Sequence, residues 1–205
     1  MKKVLTIVAV ASAMALVVGT GSAVNAADKT LKLELVSKGE THQFWQAVKK
    51  GAEEQAAKMN ATIHFQGPAN ETMIDKQLEM LDAAIALKPD AIGYAALGTT
   101  ESVSHLKAAN AAGIPVYMFD TAASCTGGVA KLGTSSDCAL GVAYTNSKAA
   151  GALAADKLAA LIGGKGKVLV VGHSQTNQTG IDRRDGFVNR IADFRICTDC
   201  KCAVN

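Results

Sequence analysis

From Leu31 onward, short apolar runs of β type alternate with longer segments of helical period, and this alternation restricts the possible folds more than any other feature of the chain. Residues 31–37 read as a first strand. Residues 44–59 read as a helix, because Trp45, Val48, Ala52, Ala56 and Met59 recur at three and four residues. A second strand at 62–66 ends at Gly67-Pro68, and a helix over 71–87 carries Ile74, Leu78, Leu81 and Ile85 on one face before Pro89 stops it. A strand at 91–95, a helix at 100–112 and a strand at 116–119, entered through Gly113 and Pro115, follow. The pattern then resumes with a helix at 148–162, a strand at 168–171, a polar loop at 173–179 and a helix starting near Asp182. Strand, helix and strand repeated in this way predict an α/β fold: a doubly wound parallel sheet with right-handed crossovers and helices on both faces. The near-continuous apolar strands agree, since such strands are buried on both sides. Residues 121–147 exceed ordinary loop length and predict the passage from a first α/β domain, 27–144, to the start of a second, 145–194.

The N-terminus is set apart from this pattern. Lys2 and Lys3 precede an apolar run from Val4 to Val18, and small residues then lead to Val24-Asn25-Ala26-Ala27. That is the layout of a secretory signal peptide spanning 1–26, too short to be a membrane-spanning helix, with Gly19 and Gly21 interrupting any continuation. Cleavage there removes two basic residues and no acidic ones from a chain of net charge +3, leaving a nearly neutral protein. Such a balance gives no reason to expect nucleic acid or an anionic membrane as partner. No cysteine precedes Cys125, so the expected product is a free periplasmic protein without a lipid anchor.

The five cysteines fall into two groups. Cys125 and Cys138 lie in one flexible insertion, and in an oxidising compartment they are expected to form a disulfide worth roughly 3 kcal/mol under the chain-entropy view. Cys197, Cys200 and Cys202 resemble half of a zinc site, but they lack a fourth ligand, so neither a metal nor another cofactor is expected.

In an open α/β sheet, ligands bind beyond the carboxyl ends of the strands. The residues there are His42, Gln43, Phe44 and Trp45 after the first strand, Asp120 and Thr121 after the fourth, and His173 to Gln178 after the fifth. An aromatic face covers the C–H side of a sugar ring, and an ionised Asp accepts hydrogen bonds from two hydroxyls, so together they select polyols. Trp45 also shares the apolar stripe of its helix while Phe44 lies about 100° away, so one of the two rings should be exposed near the strand ends. His42 suits a helix start as well as a ligand contact. Enzyme signatures fail in turn. The run Gly163-Gly164-Lys165-Gly166-Lys167 precedes a strand and lacks the Ser or Thr of a phosphate loop, no G-x-G-x-x-G follows the first strand, and Ser174 has no nucleophile-elbow setting. His64 and His105 have no partner at metal-ligand spacing, and no catalytic constellation is found.

These residues, in this order, resemble the ribose-type periplasmic sugar-binding proteins of ABC uptake systems, of type I periplasmic binding protein fold. The resemblance runs from Leu31 to Ile191. It is carried by Phe44-Trp45 with Gly51-Ala52-Glu53, Ile74-Asp75-Lys76-Gln77, Lys88-Pro89-Asp90-Ala91-Ile92, Ala112-Gly113-Ile114-Pro115-Val116, Asp120, Ala150-Gly151-Ala152 and Arg183-Arg184-Asp185-Gly186-Phe187. It implies two α/β domains closing over a monosaccharide. His42, Phe44, Trp45, Asp120, Thr121 and Arg183 would be the ligand-binding positions, with Arg183 either a ligand contact or a hinge ion pair. It also implies a membrane permease and its ATPase as partners, or, as the alternative, a sensor role presenting the sugar to a chemoreceptor. The family carries Arg where this chain has Thr121 and Ile181, which puts ribose itself in question. The family also continues beyond this chain's end, and residues 195–205 have neither periodicity nor family likeness. The tail therefore reads as truncated or out of frame, the second domain as partial, and the expected product as a weak binder prone to oligomerise through its odd thiols.

Overall fold

The apolar runs find each other as a parallel sheet in the computed structural model, which describes residues 29–125, 137–172, 174–175 and 177–194. The expected signal segment 1–26, the tail with Cys197, Cys200 and Cys202, and His173 lie outside the described residues. Five strands, β1 (Leu31–Val36), β2 (Ala61–Gln66), β3 (Ala91–Tyr94), β4 (Val116–Phe119) and β5 (Gly141–Ala143), pair in the order β2-β1-β3-β4-β5, every pair parallel. Helices α1 (Gln43–Lys58), α2 (Ile74–Ala86) and α3 (Val103–Ala111) make the crossovers. Register follows the alternation of side chains: Leu33 lies beside Ile63 and Leu35 beside Phe65 on one face, and Val36 beside Tyr94 on the other. Trp45 and Val48 of α1 cover the first face with Phe65, Ile63 and Leu35. Leu81 and Ala84 of α2 and Leu106 and Ala109 of α3 cover the second, over Val36, Ile92, Tyr94, Val116 and Met118.

Because β1 is flanked by β2 on one side and β3 on the other, the chain reverses direction of growth at β1, and a crevice opens beyond the carboxyl ends of β1 and β3. Gln77 of α2 ties those two ends together. Its amide donates to the carbonyls of Ser37 and Ala95, both at 2.8 Å, and its oxygen accepts from the Tyr94 hydroxyl at 2.8 Å and the Leu97 N–H at 2.9 Å. Burial beside this amide raises the Tyr94 phenol well above its ordinary range, so it stays a neutral donor.

Helices α4 (Ser147–Leu161) and α5 (Gln178–Ala192) pack on each other through a cluster of their own, Ala155, Ala159 and Ile191 with Phe187 and Ile162. Their close approach depends on glycine: a Cβ on Gly151 would meet the Arg183 carbonyl, and one on Gly186 the Lys148 carbonyl.

Two sequence expectations are corrected here. Residues 168–171 form no strand; Leu169 is 74% and Val171 82% exposed, and no neighbouring strand pairs with them among the described residues. An apolar run becomes a strand only where a partner satisfies its backbone. Conversely, β5 lies inside the segment read as a loop. Three residues are too few for a period to show, and the strand exists because β4 offers an open edge, with Gly141 admitting the ring of Tyr117, which a Cβ would approach to 2.7 Å. Gly163 and Gly164 take positive φ, 64° and 69°, as the terminal turn of α4. Cys125 and Cys138 stand as a disulfide with Cα atoms 6.1 Å apart, which joins the two ends of the β4–β5 connection beneath α3.

Candidate functional site

A cleft of about 790 Å³ opens at the carboxyl ends of β1 and β4 and is bounded on its far side by the start of α5. Its sheet-side wall begins with α1. His42 is the N-cap: its extended backbone turns the chain into the helix, and its Nδ1 accepts the Phe44 N–H at 3.1 Å, so the imidazole both caps α1 and lines the cleft. Phe44 and Trp45 then diverge as helical spacing requires. Trp45 is 1% exposed, packed on Phe65 and Ala95, whereas Phe44 is 48% exposed, with the two rings meeting edge to face at 4.8 Å. Phe44 therefore supplies the open aromatic surface, and Trp45 the wall behind it.

The floor carries charge. Lys38, just beyond β1, is 2% exposed, with its ammonium 2.6 Å from Asp120 Oδ2, 3.0 Å from the Thr121 hydroxyl it donates to, and 5.8 Å from the Trp45 ring centre. The Thr121 hydroxyl in turn donates to Asp120 at 3.1 Å. Asp120 takes φ +58°, a left-handed backbone that is uncommon outside glycine and clusters at functional positions. The conformation is held by Asp120 N–H to the Ala143 carbonyl at 2.9 Å and Thr121 N–H to the Phe119 carbonyl at 2.6 Å. It turns the carboxylate away from the sheet and into the cleft.

Across the opening stand Ser174, ahead of α5, and Thr179 and Arg183 from its first turns. The structure thus brings His42, Phe44, Trp45, Asp120 and Arg183 to one cleft. It does not bring Thr121 to that surface. Thr121 is buried behind Asp120, where its hydroxyl is occupied by Lys38 and the carboxylate. Sequence reasoning missed Lys38, Glu71 and Asn70, which also line the cleft. A lysine two residues past a strand is ordinarily solvated, and nothing local marks this one as buried.

The arrangement contains donors, acceptors and an apolar plate, and among the described residues two cations, Lys38 and Arg183, are set against two carboxylates, Asp120 and Glu71. That balance accommodates an uncharged solute with many hydroxyls. Among the described residues the one grouping with metal-ligand chemistry is Cys125, Asp137 and Cys138, and there the two sulfurs are bonded to each other. Among the described residues, too, no helix is long and apolar enough to cross a membrane.

Residues 33–203 match the family described as a periplasmic binding protein domain. Among solved structures, the chain is similar to an ABC transporter solute-binding protein from Agrobacterium vitis with bound α-D-tagatopyranose, at 34% identity and a TM-score of 0.73 over 86% of this chain and 58% of that one. A second Agrobacterium vitis solute-binding protein, with bound D-fucose, aligns at 32% identity and a TM-score of 0.69 over 79% of this chain and 53% of that one. A glucose-galactose binding protein from Geobacillus stearothermophilus aligns at 28% identity and a TM-score of 0.66 over 82% and 56% of the two chains. The chain therefore spans about half the length of the solved structures it matches.

Proposed function

The chain belongs to the periplasmic binding protein domain family, and from that premise we propose that it captures a monosaccharide or similar polyol for an ABC uptake system. The observation that carries the reading is the half-exposed Phe44 ring sharing a cleft with the Asp120 carboxylate, which Lys38 and Thr121 hold in place. The ring supplies a flat apolar plate for the C–H face of a pyranose or furanose, while Asp120 accepts from its hydroxyls and Arg183 and His42 offer further polar contacts. Solved relatives described as carrying D-fucose and α-D-tagatopyranose support the same solute class. The protein is a binder rather than an enzyme: its role is to hold the sugar in the periplasm, after export through the segment 1–26, and to present it to a permease driven by an ATPase. A chemoreceptor is a second partner that could read the same sugar-bound form.

The test is a thermal-shift and calorimetric screen of neutral pentoses and hexoses, with the sugar recovered and analysed afterwards. Saturable binding of at least one sugar, recovered unchanged, is expected. Turnover of the sugar, or preference for a charged solute over every neutral one, contradicts the reading.

A further inference from the structure

Glu71 precedes α2, and Asn177 lies 106 positions later at the start of α5, yet their side chains meet at the cleft. One carboxylate oxygen of Glu71 accepts the Trp45 indole N–H at 2.8 Å, and the other accepts Asn177 Nδ2 at 2.6 Å. Asn177 is buried and its amide oxygen is engaged in capping α5, accepting from the Gly180 N–H at 3.4 Å and from the Thr179 hydroxyl at 2.7 Å. The side chain that starts α5 thus gives its N–H to a carboxylate anchored on the sheet side. Arg183 follows in the same helix and lines the same cleft, so its position relative to Phe44 and Asp120 depends on this bridge. Hydrogen bonds to an ionised acceptor are short and strong, and a carboxylate at a helix N-terminus is favoured by the helix dipole.

We infer that Glu71 is a positioning residue that fixes the α4–α5 pair, and with it Arg183, against the Trp45 wall of the cleft, so that release of a bound solute requires the bridge to open. The solute half of this inference rests on the sugar-binding reading; the bridge itself does not.

The chain has a single tryptophan, so its indole N–H gives one resonance in a proton–nitrogen correlation spectrum. Asn177→Ser keeps a hydroxyl able to cap α5 while removing the donor to Glu71. Glu71→Gln places an amide where the carboxylate accepted two donors. Glu79→Gln, whose partner is the exposed Lys76, is the control. Without any sugar, Asn177→Ser and Glu71→Gln should both move the indole resonance and speed amide exchange in the first turn of α5, with the control doing neither. With a bound monosaccharide, both should raise the dissociation rate about tenfold with little change in association, and the double variant should be no worse than the worse single one. An indole resonance that ignores Asn177→Ser overturns the bridge. A moved resonance with unchanged dissociation, or with additive effects in the double variant, overturns the positioning role. If no sugar binds even the unaltered protein, the sugar-binding reading fails, and the indole shift and exchange rates decide the bridge alone.

Discussion

Asp120 is the residue on which both backbone and charge converge. Its left-handed backbone is one that Asn also tolerates, so Asp120→Asn should keep the local backbone while removing a charged acceptor from the cleft, at a cost in stability because the buried Lys38 ammonium loses its carboxylate. Calorimetry is expected to show sugar affinity weakened by about 1.5–3 kcal/mol, the usual value of hydrogen bonds to a charged group. Retained affinity would remove Asp120 from the site. Lys38 is expected to act on stability as well as on binding. In Lys38→Met the Asp120 carboxylate stays in place without its ammonium, and breaking a buried pair from one side costs about 3 kcal/mol or more. Urea unfolding should show that loss, and Lys38→Met with Asp120→Asn together should lose less than the sum of the two. At this scale the sequence exposed Asp120 because it directly follows β4, and Phe44 and Trp45 because they open the helix that follows β1. Lys38 carried no such mark, and the contact of Glu71 with Asn177 depends on how α5 docks, which no local pattern encodes.

At the scale of elements, periodicity located α1 to α4 and the first four strands to within a few residues, because each buries an apolar stripe or run long enough to repeat. It placed the start of α5 later than the Asn177 cap that begins it, and it failed at 168–171 and at β5, where pairing partners rather than composition decide. The α4–α5 contact makes a sharp prediction. Gly151→Ala drives a methyl group into the Arg183 carbonyl, so the helices must separate, with a stability loss of about 1–3 kcal/mol by chemical denaturation. An unchanged midpoint would mean that the helices do not pack this closely. A second element-level prediction concerns pH. The Lys29 ammonium and the Lys32 N–H hold the Asp90 carboxyl below its ordinary range, clasping the entry of β3 to β1. A carboxyl depressed by folding stabilises fully above its unfolded value, about 3.9, and that contribution disappears as pH falls through the lower folded value. Asp90→Asn should therefore flatten the acid limb of the stability–pH curve, an effect that shrinks in high salt because Lys29 is exposed. An acid limb identical to that of the unaltered protein would contradict the clasp.

For the molecule as a whole, the sheet supplies a rigid floor, α1 an aromatic wall and α5 the opposing side, and the proposed function depends on a sugar entering between them. Trp45 is the natural reporter, being the single tryptophan, buried at the wall and hydrogen-bonded to Glu71. The most direct measurement is a titration of the isotopically labelled protein with neutral monosaccharides, among them D-fucose, tagatose, glucose and galactose, following every assigned resonance at concentrations high enough to detect weak binding. At least one sugar is expected to produce saturable shifts at the Trp45 indole and at the amides of Phe44 and Asp120, these shifts are expected to shrink sharply in Asp120→Asn, and the sugar is expected to be recovered unaltered. Shifts confined to residues away from this cleft, or none with any neutral sugar, would contradict it.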